Sequence, residues 1–179
     1  MPHAGCPHQC SFCNQKTISG SIKPLTPEDV TAACDIAKNG GVTRETSEIA
    51  FFGGSFTAVD RDYMVSLLEA AKPYIDGGYF GGIRISTRPD AIDDERLEIL
   101  KKYHVTSIEL GAQSMDDSVL KINRRGHTAK DVENASHLIK SYGFSLGLQM
   151  MTGLMGDTDE KCIKTAERLI ALSPDTVRI

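Results

Sequence analysis

SEIAFFGGSFTAVDRDYMVSLLEAAKPYIDGGYFGGIRIS (47–86) reads as one complete strand–helix–strand unit. Its opening SEIAFFGG (47–54) is a short apolar run closed by two glycines, the mark of a buried strand. From Asp60 to Tyr74 the apolar residues Met64, Leu67, Leu68 and Ala71 fall at helical spacing on one face. GGIRIS (81–86) is again a strand, stopped by Arg88-Pro89-Asp90 because proline cannot donate to a sheet. Two strands joined through a helix pair in parallel, since a crossover connection returns the chain to the same end of the sheet.

The same alternation continues on both sides. A first helix starts at Thr26, with Pro27 in the favoured first position, and ends at Gly40-Gly41. Asp93 or Asp94 caps a third helix carrying Leu97, Leu100 and Tyr103. TSIELGA (106–112) is a strand, followed by a short helix from about Asp116. Thr128 with Asp131 forms a capping box ahead of Val132, Ala135 and Ile139. FSLGLQMM (144–151) is a strand, 158–172 a helix, and TVRI (176–179) begins one more strand. Five strands, each reached through a helix, predict an α/β fold with a parallel sheet. Periodicity leaves open whether that sheet is doubly wound or curled into a full or partial barrel. No repeat or linker interrupts it, so residues 1–179 are read as one domain. A βα loop follows a strand, yet the chain opens on a loop and stops within a strand. The expectation is a fragment of a longer chain, its first strand missing before residue 1.

Composition narrows the function classes. The 179 residues are 40% hydrophobic and 25% charged, ordinary for a soluble globular chain. A net charge of −4 argues against a strongly basic surface as the main grip on nucleic acid, without excluding a local patch. No run of 18 apolar residues is present to span a membrane, and no signal peptide is recognisable. Five cysteines, three of them clustered, do not suit a secreted disulfide scaffold, so the expected compartment is the cytoplasm, where thiols stay reduced.

The cluster is HAGCPHQCSFCNQ (3–15), with Cys6, Cys10 and Cys13 in a C-x3-C-x2-C spacing. Thiolates at short intervals select zinc or iron–sulfur clusters, and the spacing alone leaves both open. Zinc would take His3 or His8 as a fourth ligand. A [4Fe–4S] cube on three cysteines would instead leave one iron without a protein ligand, where a small molecule could bind. Cys34 and Cys162 fall inside helices and read as small core side chains.

With Phe12 just before the third cysteine and a run of βα units behind it, the loop resembles that of the radical S-adenosylmethionine (SAM) enzymes. FFGGSFT (51–57), STRPD (86–90), ELGAQS (109–114), RRGHT (124–128) and GLQMMTGLMGD (147–157) resemble the Elp3 group. More distantly they resemble the oxygen-independent coproporphyrinogen dehydrogenases. The resemblance implies a partial (β/α)6 TIM-like barrel, with Cys6, Cys10 and Cys13 holding an oxygen-sensitive [4Fe–4S] cluster whose open iron chelates SAM. It further implies Gly53, Gly54 and Ser55 beside the methionyl group, Gln113 and Arg125 on SAM, and Gln149 on the ribose. Phe12 packs on the adenine or shields the cluster. Ser86 stands where Elp3-like chains often carry Glu, Ser55 where the commoner pattern is acidic, and Met155 replaces the proline of GLPG. Met150, Met151 and Met155 are expected in the core and adenine pocket, and His104, His127 and His137 at the surface or in caps.

The activity this implies is reductive cleavage of SAM to a 5′-deoxyadenosyl radical that abstracts hydrogen from a substrate. No side chain is assigned as general acid or base. The electron comes from an external flavodoxin- or ferredoxin-like donor. Elp3 likeness suggests tRNA as substrate, and coproporphyrinogen likeness a tetrapyrrole. The alternatives are a zinc-binding βα domain with a structural Cys3His site, and a non-catalytic module that binds SAM or cluster.

Overall fold

The computed structural model describes residues 9–13 and 23–179, so Cys6, His3 and His8 lie outside the described residues. Five strands form one parallel sheet: β1 (Ile49–Phe51), β2 (Ile83–Thr87), β3 (Val105–Gln113), β4 (Ser145–Met150) and β5 (Thr176–Arg178). Their order in the sheet is their order in the chain. Each crossover therefore steps one strand further in the same direction. A doubly wound sheet reverses direction at a switch point, and a barrel does not. The architecture is that of a partial βα barrel.

Helix α1 (Pro27–Asn39) precedes β1, and α2 (Arg61–Asp76) and α3 (Asp94–Lys102) make the next two crossovers. Between β3 and β4 lie α4 (Asp117–Ile122) and α5 (Ala129–Ser141), and α6 (Asp159–Ala171) leads to β5. Capping boxes at Thr26/Asp29 and Thr128/Asp131 fix the starts of α1 and α5, and Asp93 rather than Asp94 caps α3. Helix α2 runs past Tyr74 to Asp76 with Pro73 inside it. Proline there forfeits one hydrogen bond in the last turn, where few remain to be lost.

The sheet has two unlike faces. Toward the helices point Phe51, Ile83, Ile85, Ile108, Leu110, Leu146, Leu148 and Met150, none more than 4% exposed. They pack with the buried helix residues Met64, Leu67, Leu68, Leu97, Leu100, Val132 and Ile139 in one core. Each such side chain fully removed from water contributes about 1.5–3 kcal/mol. The intervening strand positions face inward and are mostly polar or small: Ser86, Ser107, Glu109, Gly111, Gly147 and Gln149. The helix-facing side therefore supplies the packing, and the inner side is left for polar chemistry.

Three expectations are corrected. His127 is 5% exposed, a core histidine rather than a surface or capping one, whereas His104 and His137 are exposed as expected. Met155 is 63% exposed and lines no core, although Met150 is buried and Met151 half-buried. The Met155 side chain faces solvent while its carbonyl is held inward by Asn123 and its neighbour Leu154 is buried. Cys162 is only half-buried, packed at the core's edge, whereas Cys34 is 4% exposed with burial pushing its thiol up to about 11. No helix among the described residues is long and apolar enough to cross a membrane.

Candidate active site

The C-terminal ends of the strands surround a cavity of about 300 Å³. β1 delivers Phe52, Gly53, Gly54 and Ser55; β2 delivers Ser86, Thr87 and Arg88; β3 delivers Gly111 and Gln113; β4 delivers Gln149 and β5 Arg178. Arg125 enters from the α4–α5 connection, and Cys10, Phe12 and Cys13 close one side. All ten described residues proposed from the sequence as cluster ligands or SAM contacts thus lie on this one cavity, and Met150, Met151 and Met155 do not. Cys6 falls outside the described residues.

Local backbone geometry explains how they converge. Gly53 has φ 97°, a conformation L side chains rarely adopt, so this turn after β1 needs glycine. A register shift between Gly111 and Gln113 disturbs the end of β3, and Gln113 takes φ 68°. A bulge of this kind re-aims a side chain, here into the cavity. Gly111 leaves a cradle: a Cβ there would sit 2.7 Å from Arg125 Nη2 and 2.8 Å from Gln113 Nε2.

Arg125 is 8% exposed. Its Nη1 donates to Cys10 Sγ at 3.6 Å and its Nη2 to the Gly111 carbonyl at 2.5 Å. Neighbouring Arg124 is exposed, with φ 54°. The two arginines of RRGHT, interchangeable by sequence, are thereby told apart. The cysteine loop is held by the same connection. Ser11 N–H donates to the Asn123 carbonyl at 3.1 Å, and Ser11 Oγ donates to Asn123 Oδ1 at 2.7 Å.

The radical SAM superfamily model matches residues 1–169. The chain belongs to the radical SAM superfamily. Among curated relatives, the tRNA uridine(34) acetyltransferase of Dehalococcoides mccartyi is 25% identical over 189 residues, covering 87% of this chain and 41% of that protein. Among solved structures, Elp3 of Methanocaldococcus infernus superposes with a TM-score of 0.71 at 23% identity, over 86% of this chain and 41% of that one. Coproporphyrinogen III oxidase of Escherichia coli also superposes with a TM-score of 0.71, at 17% identity, over 99% of this chain and 42% of that one. At those identities the two structures show a shared fold. The chain spans about two-fifths of each of these proteins.

Within this radical SAM fold, the sequence reading missed a supporting set. Arg88 is 1% exposed; it grips Asp90 through two bonds of 2.9 and 3.1 Å and donates to the Arg125 carbonyl at 2.5 Å. His127 Nε2 donates to the Ala112 carbonyl at 3.2 Å. Burial, with Arg125 and Arg88 nearby, pulls its pKa down to about 4, so the ring is neutral. Asn123, 2% exposed, also donates to the Met155 carbonyl at 2.9 Å, tying the cysteine-loop anchor to the loop after β4. Arg178 pairs with Glu109 and lies 5.6 Å over the Phe52 ring, so it reaches from β5 back to β1. The one available signal was Arg-x-Asp in STRPD, the spacing at which an arginine can fold back on a carboxylate.

The residues fit the family's cofactors. Cys10 and Cys13 bring their sulfurs to the cavity edge, a soft donor set suited to iron–sulfur. Two buried polar atoms of cavity-lining residues, Gln113 Oε1 and Arg88 Nη1, have no partner among the described residues. Such atoms cost free energy unless a ligand satisfies them. An acceptor and a cationic donor in one cavity match the ammonium and carboxylate of an amino-acid group.

Proposed function

We propose that this chain is the core of a radical SAM enzyme, with Cys6, Cys10 and Cys13 holding a [4Fe–4S] cluster and the adjoining cavity holding SAM. The observation that carries this is the convergence of the cysteine loop, the Gly111 cradle, Gln113 and Arg125 on one cavity at the strand ends. When bound, the reduced cluster and SAM together supply a 5′-deoxyadenosyl radical for hydrogen abstraction. The chain's own residues bind and orient. Arg125, together with the Nη1 of Arg88 that is unpartnered among the described residues, offers guanidinium donors to the carboxylate. Gln113 offers Oε1 to the amino group. Gly53 and Gly54 allow close backbone approach, flanked by Ser55 and Ser86. Gln149, on the cavity wall at the end of β4, takes the ribose hydroxyls, and Phe12 the adenine face. Phe12, Phe52 and the enclosing strand ends keep water away from the reacting centre.

For the substrate, tRNA is favoured by the acetyltransferase relative, 25% identical over 87% of this chain. The electron comes from a separate one-electron carrier of the flavodoxin or ferredoxin kind. The test is anaerobic reconstitution followed by iron and sulfide analysis. About four irons per chain with matching sulfide are expected, lost in Cys6→Ala, Cys10→Ala and Cys13→Ala and kept in His3→Ala and His8→Ala. Under dithionite the reconstituted protein should release 5′-deoxyadenosine from SAM. Stoichiometric zinc without iron, or metal lost in His8→Ala as fully as in Cys10→Ala, would refute the reading.

A further inference from the structure

Arg125 carries contacts that binding a ligand does not require. One end of its guanidinium donates to Cys10 Sγ at 3.6 Å, and the other is fixed on the Gly111 carbonyl at 2.5 Å. Cys10 is 6% exposed and Arg125 8%, so this contact is shielded from solvent. The main chain is held as firmly: the Arg125 N–H donates to the Leu120 carbonyl at 3.0 Å, and its carbonyl accepts from the fully buried Arg88. The charge of Arg88 is met by Asp90, at 2.9 Å.

We infer that Arg125 raises the reduction potential of the cluster through its N–H···S hydrogen bond to Cys10. The inference rests on the cluster reading above. Reduction adds one electron from an external one-electron carrier, which is oxidised; no bond is made or broken and no proton moves. The added negative charge spreads onto the sulfurs. A buried donor bearing positive charge stabilises that state more than the oxidised one, because interior electrostatics are weakly screened. The same charge on exposed Arg124 is screened by water and mobile ions. Arg125 therefore acts before SAM arrives, as well as on it.

The experiment is a potentiometric titration of the reconstituted protein without SAM, read by electron paramagnetic resonance of the reduced cluster. Omitting SAM removes any contribution from carboxylate binding. Arg125→Leu should move the midpoint negative, cutting the reduced-to-oxidised ratio at the wild-type midpoint at least tenfold, or ~59 mV for a one-electron couple. Arg124→Leu removes the same formal charge and should change that ratio less than threefold. Arg125→Lys keeps the charge without the fork and should fall between; it replaces Arg125→Leu if that variant fails to hold cluster. A ratio within threefold of wild type in the Arg125 variant, or an equal shift in Arg124→Leu, overturns the inference while leaving the cluster reading intact. A wild-type protein that takes up no cluster overturns both.

Discussion

Gly111→Ala tests the cradle with a single carbon. The added Cβ would stand 2.7 Å from Arg125 Nη2 and 2.8 Å from Gln113 Nε2, where ordinary contact begins at 3.4 Å. The two tips must therefore retreat by about 0.7 and about 0.6 Å. Neither is slack: Arg125 is pinned at 2.5 Å to the carbonyl of residue 111 itself, and Gln113 sits at φ 68°. The retreat leaves the internal bond to Gly111 within reach but draws the guanidinium off the ligand, forfeiting at least one charge-assisted hydrogen bond to the SAM carboxylate, ~1.5–3 kcal/mol. That converts to a ~10–150-fold loss of SAM affinity. The backbone at 111 is not in the left-handed region, and the atoms nearest the new methyl group are polar ones of the cavity wall, so folding stability should change by less than ~1 kcal/mol. Isothermal titration of SAM into the reconstituted protein reads the first effect, and thermal melting the second. SAM affinity within threefold of wild type, with the fold intact, would refute the cradle.

Arg88→Met removes the buried guanidinium's bonds to the partly exposed Asp90 carboxylate and to the Arg125 carbonyl and should cost ~1.5–3 kcal/mol in urea unfolding; a loss under ~1 kcal/mol would show that these bonds do not hold the strand ends. His127 has its pKa lowered to about 4, from 6.5, by burial first and then by Arg125 and Arg88. The unfolded chain thus takes up the proton more readily. The stability His127 contributes is complete above pH 6.5 and falls away toward pH 4, by up to ~3 kcal/mol. His127→Asn should flatten that part of the melting-temperature profile, and an unchanged slope would assign it to other groups. Cys34, with its thiol pushed up to about 11, should resist iodoacetamide at pH 8 until the protein unfolds, and Cys34→Ala should leave the iron content unchanged.

The helices and strands were legible because their signals are local. A cap, a stripe such as Met64-Leu67-Leu68-Ala71 and a terminating glycine each sit within a few residues of one another. The choice between barrel and doubly wound sheet was not local, since strand order depends on which neighbour each crossover selects. The cavity residues were legible only as types: Gly53, Gln113 and Arg125 stood in motifs, but nothing in RRGHT distinguishes Arg124 from Arg125. Burial decides it: 123, 125 and 127 are buried and 124, 126 and 128 exposed, and left-handed backbone at Arg124 (φ 54°) and Gly126 (φ 77°) turns the chain between the buried positions. His127 was misjudged for the same reason. Its burial follows from facing the same way as Arg125, and a lone histidine before a capping threonine gives no sign of that. Arg178 and Glu109 meet across β4, where Gly147 has no side chain to separate them. That contact spans β3 to β5 and has no counterpart in sequence spacing.

This irregular segment also explains why the short α4 matters. Ending at Ile122, it lets the chain cross the strand ends before α5 begins at Ala129. Each inward residue then takes a different carbonyl: Asn123 that of Met155, Arg125 that of Gly111 and His127 that of Ala112. Arg88 closes the set from β2 by donating to Arg125. A segment that is neither helix nor strand must have its backbone and side-chain polar groups satisfied one by one, and here the satisfying groups belong to the end of β3 and to the turns after β2 and β4. The cysteine loop rests on this segment through Ser11 and Cys10. Any shift of β2, β3 or β4 relative to the others is therefore transmitted to the thiols. The apolar core between sheet and helices, by preventing such shifts, sets the position of the donor atoms without touching them.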